Sequence, residues 1–332
     1  MKQLSLWLAL FSCAVLASLL PESCTKKDGV LDPQSLSKIS TLAVEKTSST
    51  TPAADPAITY QNNGDLMVMN ADGSNQAVIA TADNTSAQRP SWSPDAHNIV
   101  FSGTIGGVRG MWIVSVLVVN GKPTGSNLHR VQINLTGNPA WAKWSPVGDS
   151  IVFIGGAYPG ANDPNIYLVA STGGDPRILY TAATTGPPSP TSAHCEYPTW
   201  SPDGTKLAFF ETSDGGVSAT HNLNVLDLNT KILITVVPFG TNLGERTIAW
   251  SRYGDRIAYA YGTSKLPETI YTVTPISNAT PVSLFAGYSP TWSPDDLKLV
   301  YGNRAAIYSY TFSTGTRQTL SSGGTWPDWR RF

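Results

Sequence analysis

Six side chains stand out as capable of chemistry: His194, Glu196, Glu211, His221, Glu245 and Arg246. Two histidines with two glutamates form a ligand set that a divalent cation accepts. With Arg246 added, the same groups could contact an organic ligand or a protein directly, or simply be solvated. Catalytic frameworks are missing around them. There is no Gly-x-Ser-x-Gly nucleophile turn, no phosphate-cradling loop and no His-Glu-x-x-His pair. Asn70-Ala-Asp-Gly-Ser74 lacks the ligand spacing and closing Glu of a calcium loop, and reads as a hairpin turn. No catalytic residue, metal or cofactor is assigned. The six residues are candidate binding residues.

The elements that must position them come from a repeat. Trp92-Ser-Pro-Asp95, Trp200-Ser-Pro-Asp-Gly204 and Trp292-Ser-Pro-Asp295 each precede a short apolar run: Ile99–Phe101, Leu207–Phe209 and Leu299–Tyr301. Looser copies start at Trp144 and Trp250, and Pro327-Asp-Trp329 is a last fragment; successive tryptophans are 52, 56, 50, 42 and 37 residues apart. Such a period, with strand-like runs between tight turns, indicates β-propeller blades. Pro presets the second position of a type I turn, with Ser, Asp and Gly suited to the first, third and fourth. The tryptophans Trp92, Trp144, Trp200, Trp250 and Trp292 are expected between blades. Trp112, Trp141 and Trp326 fall outside that position; burial is the expected reading, and exposed stacking surfaces are the alternative.

Third strands are expected at Met111–Val114, Ile166–Val169, Leu223–Leu226, Ile270–Val273 and Ile307–Tyr310. Fourth strands are expected at Val131–Leu135, Arg177–Tyr180, Ile232–Val236, Val282–Phe285 and Thr316–Leu320. Ile58–Tyr60, Leu66–Met69 and Gln76–Ala80 make a blade without its first strand, which Pro327–Trp329 can supply. The expected fold is all-β: a six-bladed β-propeller over residues 56–332, closed by pairing of its N- and C-terminal strands.

The Trp-Ser-Pro-Asp-Gly and Leu66-Met-Val-Met-Asn-Ala-Asp-Gly73 phrases resemble the TolB-type propeller repeat, over nearly all of the chain after its leader. The resemblance implies a bacterial, envelope-side propeller that binds a protein or another ligand. The α/β domain that precedes the propeller in TolB is not found here, so the TolB role in its envelope complex is not inherited. Some six-bladed propellers resembling this family degrade acidic sugars with His and Arg around a metal. A polysaccharide lyase or hydrolase acting at the central funnel is therefore the alternative. The chain contains only His97, His129, His194 and His221, and His97 sits beside a tight turn.

Lys2 and the apolar run Leu4–Leu20 read as a secretory signal over residues 1–23, with a short membrane anchor as the competing reading. Cys24 resembles a lipoprotein acceptor, although Pro21 and Glu22 match the usual processing site poorly. Residues 24–55 read as a flexible Ser/Thr-rich tether. Without lipid on Cys24, a disulfide to Cys195 becomes possible in an oxidising compartment. The net charge of −1 and the absence of a basic cluster exclude nucleic acid as an expected partner. The protein is expected in the periplasm or at the outer membrane, as a monomer that touches membrane only through a lipid anchor.

Within a blade, strands alternate in direction. The Ser-Pro-Asp-Gly turns and the strand-three-to-four turns therefore share one face. The opposite face receives Gly155–Asn165, Ala183–Tyr197, Glu211–Asn222, Pro238–Thr247 and Tyr261–Glu268, the longer connections. Long loops on a rigid scaffold concentrate binding residues. An envelope protein or a glycan is expected on that face.

Overall fold

The computed structural model describes residues 56–83, 88–155, 165–182, 193–213, 220–239, 247–263, 266–303 and 306–331. The candidate signal and tether, Cys24 among them, lie outside the described residues.

Among the described residues, twenty-four strands form six four-stranded antiparallel sheets. Blade 1 is composite: β1 (Ile58–Asn62), β2 (Asp65–Met69) and β3 (Ala77–Ala80) follow the last strand of the chain, β24 (Thr325–Trp329). Blade 2 contains β4 (Gln88–Trp92), β5 (Asn98–Ile105), β6 (Val108–Val119) and β7 (Lys122–Arg130). Blade 3 contains β8 (Ala140–Trp144), β9 (Ser150–Ile154), β10 (Asn165–Ala170) and β11 (Gly173–Thr181). Blade 4 comprises β12 (His194–Trp200), β13 (Lys206–Thr212), β14 (His221–Asp227) and β15 (Leu233–Phe239). Blade 5 comprises β16 (Ile248–Trp250), β17 (Ile257–Thr263), β18 (Leu266–Val273) and β19 (Val282–Ala286). Blade 6 comprises β20 (Tyr288–Trp292), β21 (Lys298–Asn303), β22 (Ala306–Thr311) and β23 (Thr316–Ser321). The innermost strands touch in the cyclic order β24, β4, β8, β12, β16, β20 and back to β24, which closes the ring.

Two expectations change. The fourth strand of blade 2 is Lys122–Arg130, not Val131–Leu135. Strand β6 runs on for twelve residues and reverses at Asn120-Gly121, whose φ angles of 50° and 74° are those of a type I′ hairpin turn. The returning strand crosses the edge of blade 1. Gly125 approaches so closely that a Cβ there would lie 1.8 Å from the carbonyl oxygen of Ile79. In blade 5, β17 continues to Thr263 and β18 resumes at Leu266, so Tyr261–Glu268 is a hairpin rather than a long loop.

The core lies between blades. Trp92, Trp144, Trp200, Trp250, Trp292 and Trp329 are all buried, at 4–8% exposure. Burying so large a ring contributes several kcal/mol; replacing one by Ala costs about 3–5 kcal/mol. The serine after each tryptophan explains the Ser-Pro-Asp phrase. Ser201 Oγ donates to Asp203 at 2.6 Å and accepts from the Lys206 amide at 2.9 Å. The same pair of bonds recurs at Ser93, Ser251 and Ser293. The fourth turn position is left-handed at Ala96, Gly148, Gly204, Gly254 and Asp296, which is why Gly recurs there.

Candidate functional site

Sheet alternation separates the residues singled out in the sequence. His194, Thr212 and His221 are paired neighbours across β12, β13 and β14, so their side chains share one face of blade 4. Thr212 Oγ1 and His221 Nδ1 are hydrogen-bonded at 2.8 Å, and His221 is buried. His194 Nε2 lies 3.6 Å from Glu196 Oε1. Glu211, next to Thr212 on β13, takes the opposite face. It accepts bonds from Tyr180 Oη at 3.0 and 3.1 Å and from Asn224 Nδ2 at 2.6 Å. Burial, and then the Glu211 charge, push the Tyr180 hydroxyl well above the usual phenol range. Glu211 therefore ties blade 4 to blade 3. Glu211 thus leaves the face of the two histidines, and no group of three or more metal-ligating side chains exists among the described residues. Glu245 and Arg246 lie outside the described residues. Cys195 is buried on β12; its candidate disulfide partner Cys24 lies outside the described residues.

A different set converges. Counting three residues back from each blade tryptophan gives Trp326, Arg89, Trp141, Tyr197, Thr247 and Ser289, in ring order from blade 1 to blade 6. All six line the central channel at the start of the inner strands, which is the end on the long-loop face. Five of them hold φ between 50° and 55°; Thr247 alone does not share this conformation. Register shifts beside Arg89, Trp141, Tyr197, Ser289 and Trp326 show one extra residue in each of those strands. Such a bulge re-aims a side chain. Pro90, Pro198, Pro290 and Pro327 follow four of the six positions, where a missing amide is tolerated.

The ring is lopsided. The Arg89 guanidinium carbon lies 4.1 Å from the centre of the Tyr197 ring, 5.2 Å from that of Trp326 and 5.7 Å from that of Trp141. Trp141 and Tyr197 also pack on each other at 4.5 Å. Arg89 Nη2 donates to Tyr197 Oη at 3.3 Å. Blades 5 and 6 contribute only the small Thr247 and Ser289. Several polar atoms around this ring are buried without a protein hydrogen-bond partner: Arg89 Nε and Nη1, Trp326 Nε1, Thr247 Oγ1 and Ser289 Oγ. Ser289 is only 3% exposed. Buried polar groups are ordinarily paired, so these five, unpaired among the described residues, mark the mouth as a place where water or a ligand can meet them.

Deeper in the channel the side chains are structural. Asp328 accepts from the Trp92 amide at 3.1 Å and pairs with Lys143 Nζ at 2.8 Å. Ser91 Oγ accepts from the Trp144 amide, and Thr291 Oγ1 from the Trp329 amide, both at 3.2 Å. These bonds tie composite blade 1 to blades 2, 3 and 6, and blade 2 to blade 3. At the far end Arg331 Nη2 reaches the Trp200 carbonyl at 3.4 Å. Burial lowers the Arg331 pKa, while Asp328 and Asp296 oppose that shift.

Trp141 and Trp326 were visible in the sequence as tryptophans off the repeat position. Arg89, Tyr197, Thr247 and Ser289 were not singled out. Aligning the blades on their tryptophans and reading the third column back would have found them.

No protein-family model and no curated protein matches the sequence. Solved structures do. The TolB structure from Acinetobacter baumannii superposes with a TM-score of 0.56 at 19% identity, covering 83% of this chain and 66% of that one. A TolB structure from Agrobacterium tumefaciens gives 0.54 at 17%, covering 82% and 91%. A chain of a nidogen/laminin complex gives 0.58 at 8%, covering 82% and 98%. Identities this low speak for fold alone, and together with the six closed blades they establish a TolB-like six-bladed propeller.

Proposed function

We propose that this chain is a non-enzymatic binding propeller of the bacterial cell envelope, holding a protein or glycan at the long-loop mouth of its channel. The observation that carries this reading is the mouth ring itself, with five buried polar atoms lacking partners around Arg89. Concave sites lined by aromatic rings with a few convergent polar groups are where ligands bind. The apolar run before residue 21, read as an export signal, supports the compartment.

The test is a crosslinking pull-down from envelope extract, with partners identified by mass spectrometry. Trp141→Ala combined with Trp326→Ala is expected to abolish capture of the partner that the parent protein retains. Charge reversal at Lys206 and Lys298, beside the tight turns, is expected to leave capture intact. The reverse pattern would place the binding face at the other end of the channel.

A further inference from the structure

We propose that the open half of the channel mouth is a receptor for a carboxylate on a short linear stem, with Arg89 as its counter-charge. This deepens the reading above and rests on it.

Three observations converge. The first is the kind of atom left unpaired. Arg89 Nε and Nη1 and Trp326 Nε1 can only donate, and the Thr247 and Ser289 hydroxyls can donate. Among the described residues the ring carries donors and no carboxylate, which calls for an acceptor-rich, anionic group. Bonds between ionised partners are roughly twice as strong as neutral ones. The second is charge. Among the six ring residues Arg89 is the one charged group. Deeper in the channel Lys143 and Asp328 pair with each other, and Asp328 also accepts the Trp92 amide. At the far end Arg252 and Arg331 lie beside Asp296.

The third is shape. Trp141, Tyr197 and Trp326 surround the guanidinium and hold it in place, so Arg89 presents its charge without having to be ordered on binding. Thr247 and Ser289 are smaller than their counterparts across the ring, so blades 5 and 6 fill less of the mouth with side chain. The channel offers about 100 Å³, below the roughly 300 Å³ at which pockets begin to enclose drug-sized ligands. That suits a carboxylate on a few methylenes better than a sugar ring. Such a group can come from a free short-chain acid or from a glutamate side chain.

The probes are sodium propionate, the blocked peptide acetyl-Ala-Glu-Ala-amide and sodium galacturonate, each compared with sodium chloride and sulfate at matched ionic strength. Binding is read from the melting temperature and from calorimetric titration. Propionate or the glutamate peptide is expected to raise the melting temperature of the parent, and Arg89→Gln to weaken that binding at least ten-fold. Ser289→Val, which fills the open half, should weaken it while the variant still melts cooperatively. If propionate binds as well as the peptide, the ligand is a free acid; if the peptide binds at least ten-fold tighter, the carboxylate is presented on a chain. An equal response to sulfate, tighter binding of galacturonate, or binding unchanged in both variants overturns the proposal. If no carboxylate binds but Trp141→Ala with Trp326→Ala still abolishes partner capture, the ligand chemistry is wrong and the mouth remains the binding face.

Discussion

At the tight-turn end of the inner strands, the serine after the tryptophan donates to an aspartate and accepts an amide within its own turn, as at Ser93, Ser201 and Ser293. At the other end, three residues before the blade tryptophans, Ser289, Thr247, Arg89 and Trp326 carry buried polar atoms with no hydrogen-bond partner among the described residues. One strand thus serves two purposes. Polar chemistry in the turn, and just before the tryptophan at Ser91, Thr291 and Asp328, holds the blades together. Polar chemistry three residues before the tryptophan is left unpaired among the described residues.

That contrast can be broken most severely at closure. Deleting residues 326–332 removes most of β24 with Trp329 and Asp328, and is expected to abolish cooperative thermal unfolding. Removing residues 25–50 should shift the melting temperature by no more than a few degrees. A truncated protein that melts like its parent would mean that β24 does not hold the ring shut.

A smaller but still large effect is expected at Asp328→Ala. It leaves the Trp92 amide without its acceptor and Lys143 with only the Pro90 carbonyl at 3.4 Å among the described residues, at a cost of about 3 kcal/mol in denaturant unfolding. Two hydroxyls on one strand sharpen the comparison further. Thr291→Val removes the acceptor for the Trp329 amide and should cost about 1–2 kcal/mol. Ser289→Ala, two residues away, removes an orphan and should be neutral or stabilise by about 0.5–1 kcal/mol. If the two behave alike, the contrast between the position three before the tryptophan and the position just before it is false.

Acid should act on the turn end. Burial tends to raise the Asp203 pKa, but the Ser201 hydroxyl and the Thr205 amide and hydroxyl outweigh it and hold the carboxyl below the usual range. Bonds from the Ser74 hydroxyl and amide do the same for Asp72. A depressed folded-state value contributes stability that is complete above the unfolded value of about 3.9 and drains as pH falls through the lower folded one. Chemical denaturation midpoints are therefore expected to fall below about pH 4, and less steeply in Asp203→Ala. The smallest effect is a gain. Ala96 holds φ 58°, where Gly204 and Gly254 stand in other blades, so Ala96→Gly should stabilise by about 0.5–1 kcal/mol. Asp296 holds a similar angle but accepts from the Arg252 amide at 2.8 Å, so the same change there should not gain.

Blades were legible because their tryptophans and turns repeat: each copy reports the same packing demand. The blade 2 hairpin was misread because spacing was followed past Asn120-Gly121, although both residues there adopt the positive φ of the tightest hairpin turn. The binding residues escaped for a deeper reason. A repeat is recognised by what stays constant, and the third position before the tryptophan is Trp, Arg, Trp, Tyr, Thr and Ser in turn. His194, Glu196, Glu211 and His221 drew notice by residue type, yet the pleat sends Glu211 to the opposite face from Thr212 and so from the histidines.

The repeated bulge has a consequence for how such a protein could change. Because five blades present that residue from the same left-handed turn of the backbone, its side chain projects inward from the wall whether it is a tryptophan, a tyrosine, an arginine or a serine. No blade has to be rebuilt for the residue to be exchanged. The mouth is in effect a six-letter word written on a fixed frame, and a single substitution can respell it without retuning the frame.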